Sequence, residues 1–460
     1  MKSRVSSTVL TRSVASTPVK IYLAIAYAYF LSGADNYIFQ FSKVRIPPNL
    51  ALVMFFVPLA AVLLTKDFMR SKPLSGVFTQ FRVNLPVVGA FFSLVLISLL
   101  LSLHDTANWR NDGKWIKIVT VDFAVFLLGM SLPVLDVIRH SYRRCIIAGI
   151  IVLAASIGYD MLFPGALFTS RDRAAGFAIN PNLGGLLLAM MAASTLGYEA
   201  TTRRRDNWIL AITGLGIFAT LSRGGVLLYL LLLGFYLYAT LFASKGGFKK
   251  SLMVLLSAGI LLAFIKFMIP LMMEQSGMFK EKNAQNRVNS LMGDRGLYSE
   301  DDGRLRAVHQ SLRLINEAPF VGHGTGFTQT MTVGPHNMYL KQWVDNGLPG
   351  LLGYVFLLLS GFWLFYKRKF FPGQAFLAVV LLGGLFSHNI LDLRAFLILF
   401  GTLLSASWYG MSVAADEGEL WLLTRGDPQD MTFPGGASTP SGAAIGASAA
   451  FSSYTNARTL

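Results

Sequence analysis

Stretches of roughly 16 to 22 mostly apolar residues recur along the chain, near 20–40, 49–65, 85–103, 116–134, 145–163, 182–198, 207–222, 224–243, 251–273, 347–366, 374–390 and 394–412. Each is long enough, or nearly so, to cross a hydrocarbon core of about 30 Å as a helix. Of the 460 residues 53% are hydrophobic and only 14% charged, which excludes an ordinary soluble globular domain. The chain is expected to be an all-α membrane protein with about twelve transmembrane helices.

The spacing of basic residues tests that count, because short cytoplasmic loops collect Lys and Arg. With the amino terminus in the cytoplasm, the inner loops hold Lys66, Arg70, Lys72 and Arg82; Arg139, Arg143 and Arg144; Arg203 to Arg205; Lys245, Lys249 and Lys250; and Lys367 to Lys369. Every second loop is basic. The segments are then a cytoplasmic tail at 1–19, a transmembrane domain at 20–412 and a cytoplasmic tail at 413–460. This last tail is rich in Gly, Ala, Ser and Thr and is expected to be disordered. The first apolar run is broken by Asp35 and Asn36 and is read as an anchoring span rather than a cleaved leader. A single cysteine, Cys145, excludes an intrachain disulfide, so the large outer loop at 274–346 must be held by packing and hydrogen bonds.

That loop contains the chain's polar island, Gly303 to Gly350, with His309, His323, His336, Arg304, Arg306 and Arg313. From Leu305 to Glu317 the apolar residues Leu305, Val308, Leu312 and Ile315 recur at helical spacing, so an amphipathic helix is predicted, ended by Pro319. Its apolar face should rest on the membrane or on the outer ends of the spans. Three glycines in five residues, at 322, 324 and 326, suit a backbone that turns sharply or approaches a ligand closely. A second helix is predicted to begin at Pro335 and end near Gly347, with Pro335 at the first helical position. His336 then falls in the first turn, where the positive end of the helix dipole favours a neutral ring able to accept a proton.

Other outward residues carry charge. Arg173 lies in the loop before the sixth span, where Asn180-Pro181-Asn182 forms a turn and Asn182 is the expected helix cap. Arg223 sits between the seventh and eighth spans with almost no loop around it, at a depth where an arginine must snorkel to headgroups or meet an anion. His388, Asp392 and Arg394 stand at the outer end of the last two spans, where they could line the same cavity. The acidic run Glu300-Asp301-Asp302 has no further ligand at metal spacing and is read as solvated. Arginine presents a planar fork matched to phosphate oxygens, so several at a membrane surface suit a lipid-linked phosphate or pyrophosphate. A neutral histidine nearby completes a site for group transfer with no metal or other cofactor.

Taken in order, Arg173 to Asn182, Ser222-Arg223-Gly224, Arg304, Ala318-Pro-Phe-Val-Gly-His-Gly-Thr-Gly-Phe327, His336-Asn-Met-Tyr-Leu340 and Asn346-Gly-Leu-Pro-Gly350 resemble the O-antigen ligase and polymerase superfamily. The resemblance implies a metal-independent, GT-C-like glycosyltransferase in a Gram-negative inner membrane, with its active site on the periplasmic side. It also implies a helical periplasmic loop between spans nine and ten. The donor would be O-antigen on undecaprenyl pyrophosphate and the acceptor the lipid A–core oligosaccharide; membrane lipids are expected partners and nucleic acid is not. Carried over by position, His336 corresponds to the essential histidine, and Arg223 and Arg304 to the pyrophosphate-binding arginines. Arg173, Asn337, His323 and Arg394 are further substrate-binding candidates, Arg173 fitting the pattern only approximately. An O-antigen polymerase, a protein O-oligosaccharyltransferase and, in another class, a multi-span transporter are the alternatives.

Overall fold

The computed structural model describes residues 17–43, 45–63, 73–102, 109–134, 141–164, 166–167, 173–196, 203–243, 252, 256, 259, 302–331 and 334–416. Among them every regular element is helical and no strand occurs. The expected tails, apart from residues 17–19 and 413–416, and the first part of the outer loop, 274–301, lie outside the described residues.

Helices occupy the predicted apolar stretches. α1 (Thr17–Leu31) and α2 (Ala34–Phe41) divide the first of them at Gly33, whose φ of 78° glycine adopts at no steric cost. α3 (Pro48–Leu63), α4 (Pro73–Val83), α5 (Leu85–Ser102), α6 (Trp109–Ser131) and α7 (Tyr142–Leu162) follow. α8 (Pro181–Ala193), α9 (Arg203–Ala219) and α10 (Arg223–Ala243) precede the ninth stretch, 251–273, which falls outside the described residues except for Leu252, Leu256 and Gly259. Then come α11 (Asp302–Glu317), α12 (Met338–Lys367), α13 (Phe371–Gly383) and α14 (Arg394–Asp416). α7 and α12 are long and apolar enough to cross a membrane, and α4 with α5, bent by 77°, would form a third span if taken as one broken helix. The apolar parts of α1, α3, α6, α8, α9, α10, α13 and α14 are shorter, 10–17 residues.

The helices pack through small residues, as expected where lipid removes most of the hydrophobic drive between them. α14 lies along α6, α1 along α7, and α5 along α12. At the first of these crossings a Cβ on Gly401 would stand 2.4 Å from Phe126 O, and one on Gly129 would stand 2.8 Å from Ile398 O. Only glycine allows that backbone approach. Phe126, Phe365, Phe376, Phe396 and Phe400 fill the space beside it, all fully buried.

Contacts sort the connecting segments into two ends. At one end Arg143 pairs with Asp206. At the end of α12 opposite Met338, Arg368 donates to Asn84 Oδ1 (2.8 Å), Ser407 Oγ (2.8 Å), Leu404 O (3.0 Å) and Val83 O (2.8 Å). The guanidinium thereby supplies donors to the backbone break between α4 and α5. The segments predicted to face outward meet at the other end, where Ser222 bonds Asn182, Met338 N donates to Gly384 O and Arg394 pairs with Asp35.

Gly401→Ala is therefore expected to lower stability by about 1–3 kcal/mol, since the added carbon meets backbone that no rotamer change can move. Gly234→Ala, where nothing lies within 4 Å of the new carbon, serves as the control and should lose nothing. Thermal unfolding of the detergent-solubilised protein measures both; equal melting temperatures for Gly401→Ala and wild type would disprove the close crossing.

Candidate active site

The site is built around a break in α12. Gly347 has φ 62° and ψ −166°, a conformation open essentially to glycine alone, and it interrupts the helix between Asn346 and Leu348. A break leaves carbonyls without intrahelical partners. Here the glycine loop supplies them: His323 N donates to Val344 O (2.8 Å) and Gly324 N to Asp345 O (2.9 Å), while Leu348 N donates to Pro319 O (2.9 Å). Gly322, Gly324 and Gly326 all have positive φ, and a Cβ on Gly322 would stand 2.4 Å from Gly347 N. The expected close approach is thus to the protein's own backbone.

His323 belongs to this arrangement. Its Nε2 lies 2.9 Å from Leu314 O and its ring stacks on Phe327 at 4.8 Å, so one ring nitrogen is engaged inside the loop. α11 ends at Glu317 ahead of Pro319, as the sequence predicts. Ala307, Ser311 and Ile315 are buried, whereas Leu305 and Leu312 are 61% and 43% exposed, so of the predicted apolar face Ile315 is packed inside the protein. Arg304 stands in the first turn of α11, and its side chain lies outside the described residues. So do Glu300 and Asp301.

α12 begins later than the sequence pattern predicts. Asn337 is its N-cap, accepting from Tyr339 N (2.9 Å) and Leu340 N (3.1 Å), so Pro335 and His336 precede the helix instead of opening it. An Asn side chain that accepts two backbone N–H groups outcompetes a proline start. His336 is left exposed in the left-handed region, with φ 49°, a strained position for a residue with a Cβ. Strain of this kind persists only where neighbours hold it. They do so from the end of α13 and the segment that follows it: Met338 N donates to Gly384 O (2.7 Å), Tyr339 OH to Leu381 O (2.8 Å), and the ring of His388 meets that of His336 at 5.3 Å, edge to face.

The same segment reaches Arg223. Arg223 is half-buried at the start of α10, Ser222 caps that helix through Gly225 N (3.1 Å), and Phe386 packs against Gly224, where a Cβ would lie 3.3 Å away. Ser222 also donates to Asn182 Oδ1 (3.0 Å). The cap of α8 is Asn180, accepting from Asn182 N, so the expected cap moves by two residues and the Asn182 side chain is freed for this cross-link. Arg173 is half-buried just before a loop pinned by Asp160, which accepts from Ala175 N (2.8 Å) and Gly176 N (3.2 Å). Arg394 is held by Asp35 (3.3 Å), Asn36 (3.5 Å) and Asn49 (2.9 Å).

One cluster was not anticipated. Behind His336, Lys341 bonds Asp392 at 2.8 Å, and Asp345 accepts from both Thr328 N (2.8 Å) and Thr328 Oγ1 (3.0 Å). With Asp122, Gln342, Asn346 and Ser98 they line a cavity of about 40 Å³, room for a water or two and far too small for a sugar. The signal was present: Asp122 is a lone acid in an apolar stretch, and intramembrane charge is by default functional or paired. His388 stands in the segment outside the helices. Burial, with the Lys341 ammonium and His336 adding to it, pushes its pKa down to about 4, so the ring is neutral across the physiological range. Among the described residues no group of three His, Cys, Asp or Glu side chains is arranged to hold a metal ion.

These features define a helical membrane protein with a polar, histidine- and arginine-bearing end. Residues 208–355 match the family model for O-antigen ligase, about a third of the chain. It contains Arg223, Arg304, His323, His336 and Asn337; Arg173 and Arg394 lie outside it. No curated protein matches the chain.

If Asn337 acts as the N-cap, Asn337→Ala should cost about 1 kcal/mol of stability and Asn337→Asp almost nothing. Melting temperatures of the two purified variants decide it, and an aspartate variant as unstable as the alanine one would deny the cap.

Proposed function

We propose that this protein transfers an O-antigen glycan from undecaprenyl pyrophosphate to a hydroxyl of the lipid A–core oligosaccharide, at the periplasmic face of the inner membrane. In this scheme about twelve spans carry the outer loop, and no metal takes part. His336 accepts the proton of the acceptor hydroxyl as its oxygen bonds to the anomeric carbon of the glycan. The bond from that carbon to the pyrophosphate oxygen breaks, and its electron pair leaves with the pyrophosphate. Arg223 and Arg304 stabilise the charge that builds there, and Arg173 extends the anion-binding surface.

The strongest support is that one family-matched segment holds all three principal residues, while the 384–393 segment borders both the His336 and the Arg223 ends of it. The remaining candidates have other work in the structure. Asn337 caps a helix, His323 is bonded to Leu314 O, and Arg394 ties α14 to α2. We therefore assign them to shaping the site rather than to touching substrate.

A strain lacking the gene should build lipopolysaccharide without O-antigen while lipid-linked long chains accumulate; complementation with wild type should restore the ladder and complementation with His336→Ala should not. A cap of one repeat unit in place of bare core would instead mark a polymerase. A ladder fully restored by well-folded His336→Ala would remove that residue from the chemistry.

The pair Arg223 and Arg304 gives a second test. Lysine keeps the charge and loses the bidentate fork, so Arg223→Lys and Arg304→Lys should each impair transfer severely, by about tenfold or more if a charge-assisted bond worth about 1.5–3 kcal/mol is lost. If both serve one pyrophosphate, the double variant should fall well short of the product of the single effects. Near-normal transfer by both single variants in a purified assay with a lipid-pyrophosphate donor would sink the shared site.

A further inference from the structure

His336 is exposed, stands in a left-handed backbone conformation, and lies one residue outside the helix that follows it. Its backbone is fixed on one side by the Asn337 cap and by Met338 N on Gly384 O. A base displaced by about 1 Å loses much of its effect. The ring of His388 meets that of His336 edge to face, with centroids 5.3 Å apart.

His388 is well placed to prevent such a displacement. It is half-buried and sits close to Gly334, where an added Cβ would lie 3.4 Å from His388 Nε2. The segment carrying it is tied down at several points: Gly384 O accepts from Met338 N, Asp392 pairs with Lys341, and Ile390 and Leu391 are buried. Lys341 and Tyr339 belong to α12, the helix that His336 introduces, so His388 and His336 are mounted on parts of the fold bolted to each other. The charged and titratable groups facing His388 are His336 before α12, Lys341 on α12 and Asp392 on its own segment. Burial keeps His388 uncharged at neutral pH. A neutral ring packs beside a histidine that gains a proton during turnover, where a second imidazolium would repel it.

We infer that His388 is a positioning residue for His336, its ring holding the His336 imidazole by edge-to-face packing in the pose from which it accepts the acceptor's proton. This rests on the transferase role proposed above for His336.

The test uses the full-length protein in lipid vesicles with a lipid-pyrophosphate glycan donor and a lipid-linked oligosaccharide acceptor, measuring kcat and KM across pH 5 to 9. Wild type must be active, and its inactivity would refute the transferase role itself, independently of His388. With active wild type, His388→Ala should lower kcat by about tenfold or more and leave KM for the donor near wild type. His388→Phe keeps an edge-to-face ring without nitrogens and should recover most of that loss. His388→Lys sets a permanent cation beside His336 and should move the acidic limb of the kcat profile down by about half a pH unit or more, a displacement that a merely structural role would not produce. Should His388→Ala fail to fold, the phenylalanine and lysine variants still decide. Wild-type kcat in His388→Ala, a phenylalanine variant no better than alanine, or an acidic limb unmoved in His388→Lys would each overturn the inference.

Discussion

The break at Gly347 is the point on which the His336 end of the molecule depends. A helix entering an apolar bundle cannot leave carbonyls unbonded, because an unsatisfied buried peptide group costs about as much as a lost hydrogen bond. The chain meets that demand from the glycine loop, with His323 N on Val344 O and Gly324 N on Asp345 O. Three positive-φ glycines are what allow the loop to lie so close. Once it is there, Thr325 reaches Asn346 Oδ1 at 2.7 Å and lies 2.9 Å from Ser98 O, so α5, the loop and α12 lock together. The break converts one long helix into a short arm and a longer helix, and His336 stands at the tip of the arm.

Charge is buried beneath that tip, and there it fixes position. Lys341 is 7% exposed and lies among Asp392, Asp345 and Asp122. Removing one member of such a set from water is costly unless the others compensate, so the segments that carry them are held to one arrangement. Asp392 anchors the 384–393 segment, Asp345 anchors Thr328 of the glycine loop, and Asp122 brings α6 to the same cavity. The opposite end uses the same device with a single cation, Arg368, whose donors are spread over Val83, Asn84, Leu404 and Ser407. Each end of the bundle thus holds a buried cation, Lys341 bonded to Asp392 and Arg368 to four acceptors.

Much of this was legible in the residues, and the parts that were not share a cause. Apolar length located the helices, because burial in lipid or in a bundle demands it whatever the neighbours are. Pro319 ended α11 where the pattern said it would. Local competition was harder to read. Asn337 and Asn180 took the caps that Pro335 and Asn182 were expected to define, since either choice satisfies the same backbone groups and only the packed structure selects one. Pairing across the bundle was hardest. Lys341 with Asp392 and Arg394 with Asp35 are separated by long stretches of chain, and no periodicity in one sequence marks them as neighbours. Asp122 and Asp160 could have been flagged as lone acids in apolar stretches, although nothing in their surroundings names the partner.

The direction of the helices adds a further constraint on what the outer end attracts. α8 starts at Pro181, α10 at Arg223, α12 at Met338 and α14 at Arg394, and cross-links from Asn182 to Ser222, from Met338 to Gly384 and from Arg394 to Asp35 gather these starts at one end. Each helix start carries roughly half a positive charge from its aligned peptide dipoles, within about one turn of the terminus. Arg223 adds a full charge at one of them, so its guanidinium and the first N–H groups of α10 act on the same space. A lone arginine at the membrane boundary would be satisfied by any headgroup. Several positive helix ends converging beside it favour an anion of higher charge held in one place, and under the proposed reaction that anion is the pyrophosphate as its bond to the glycan breaks.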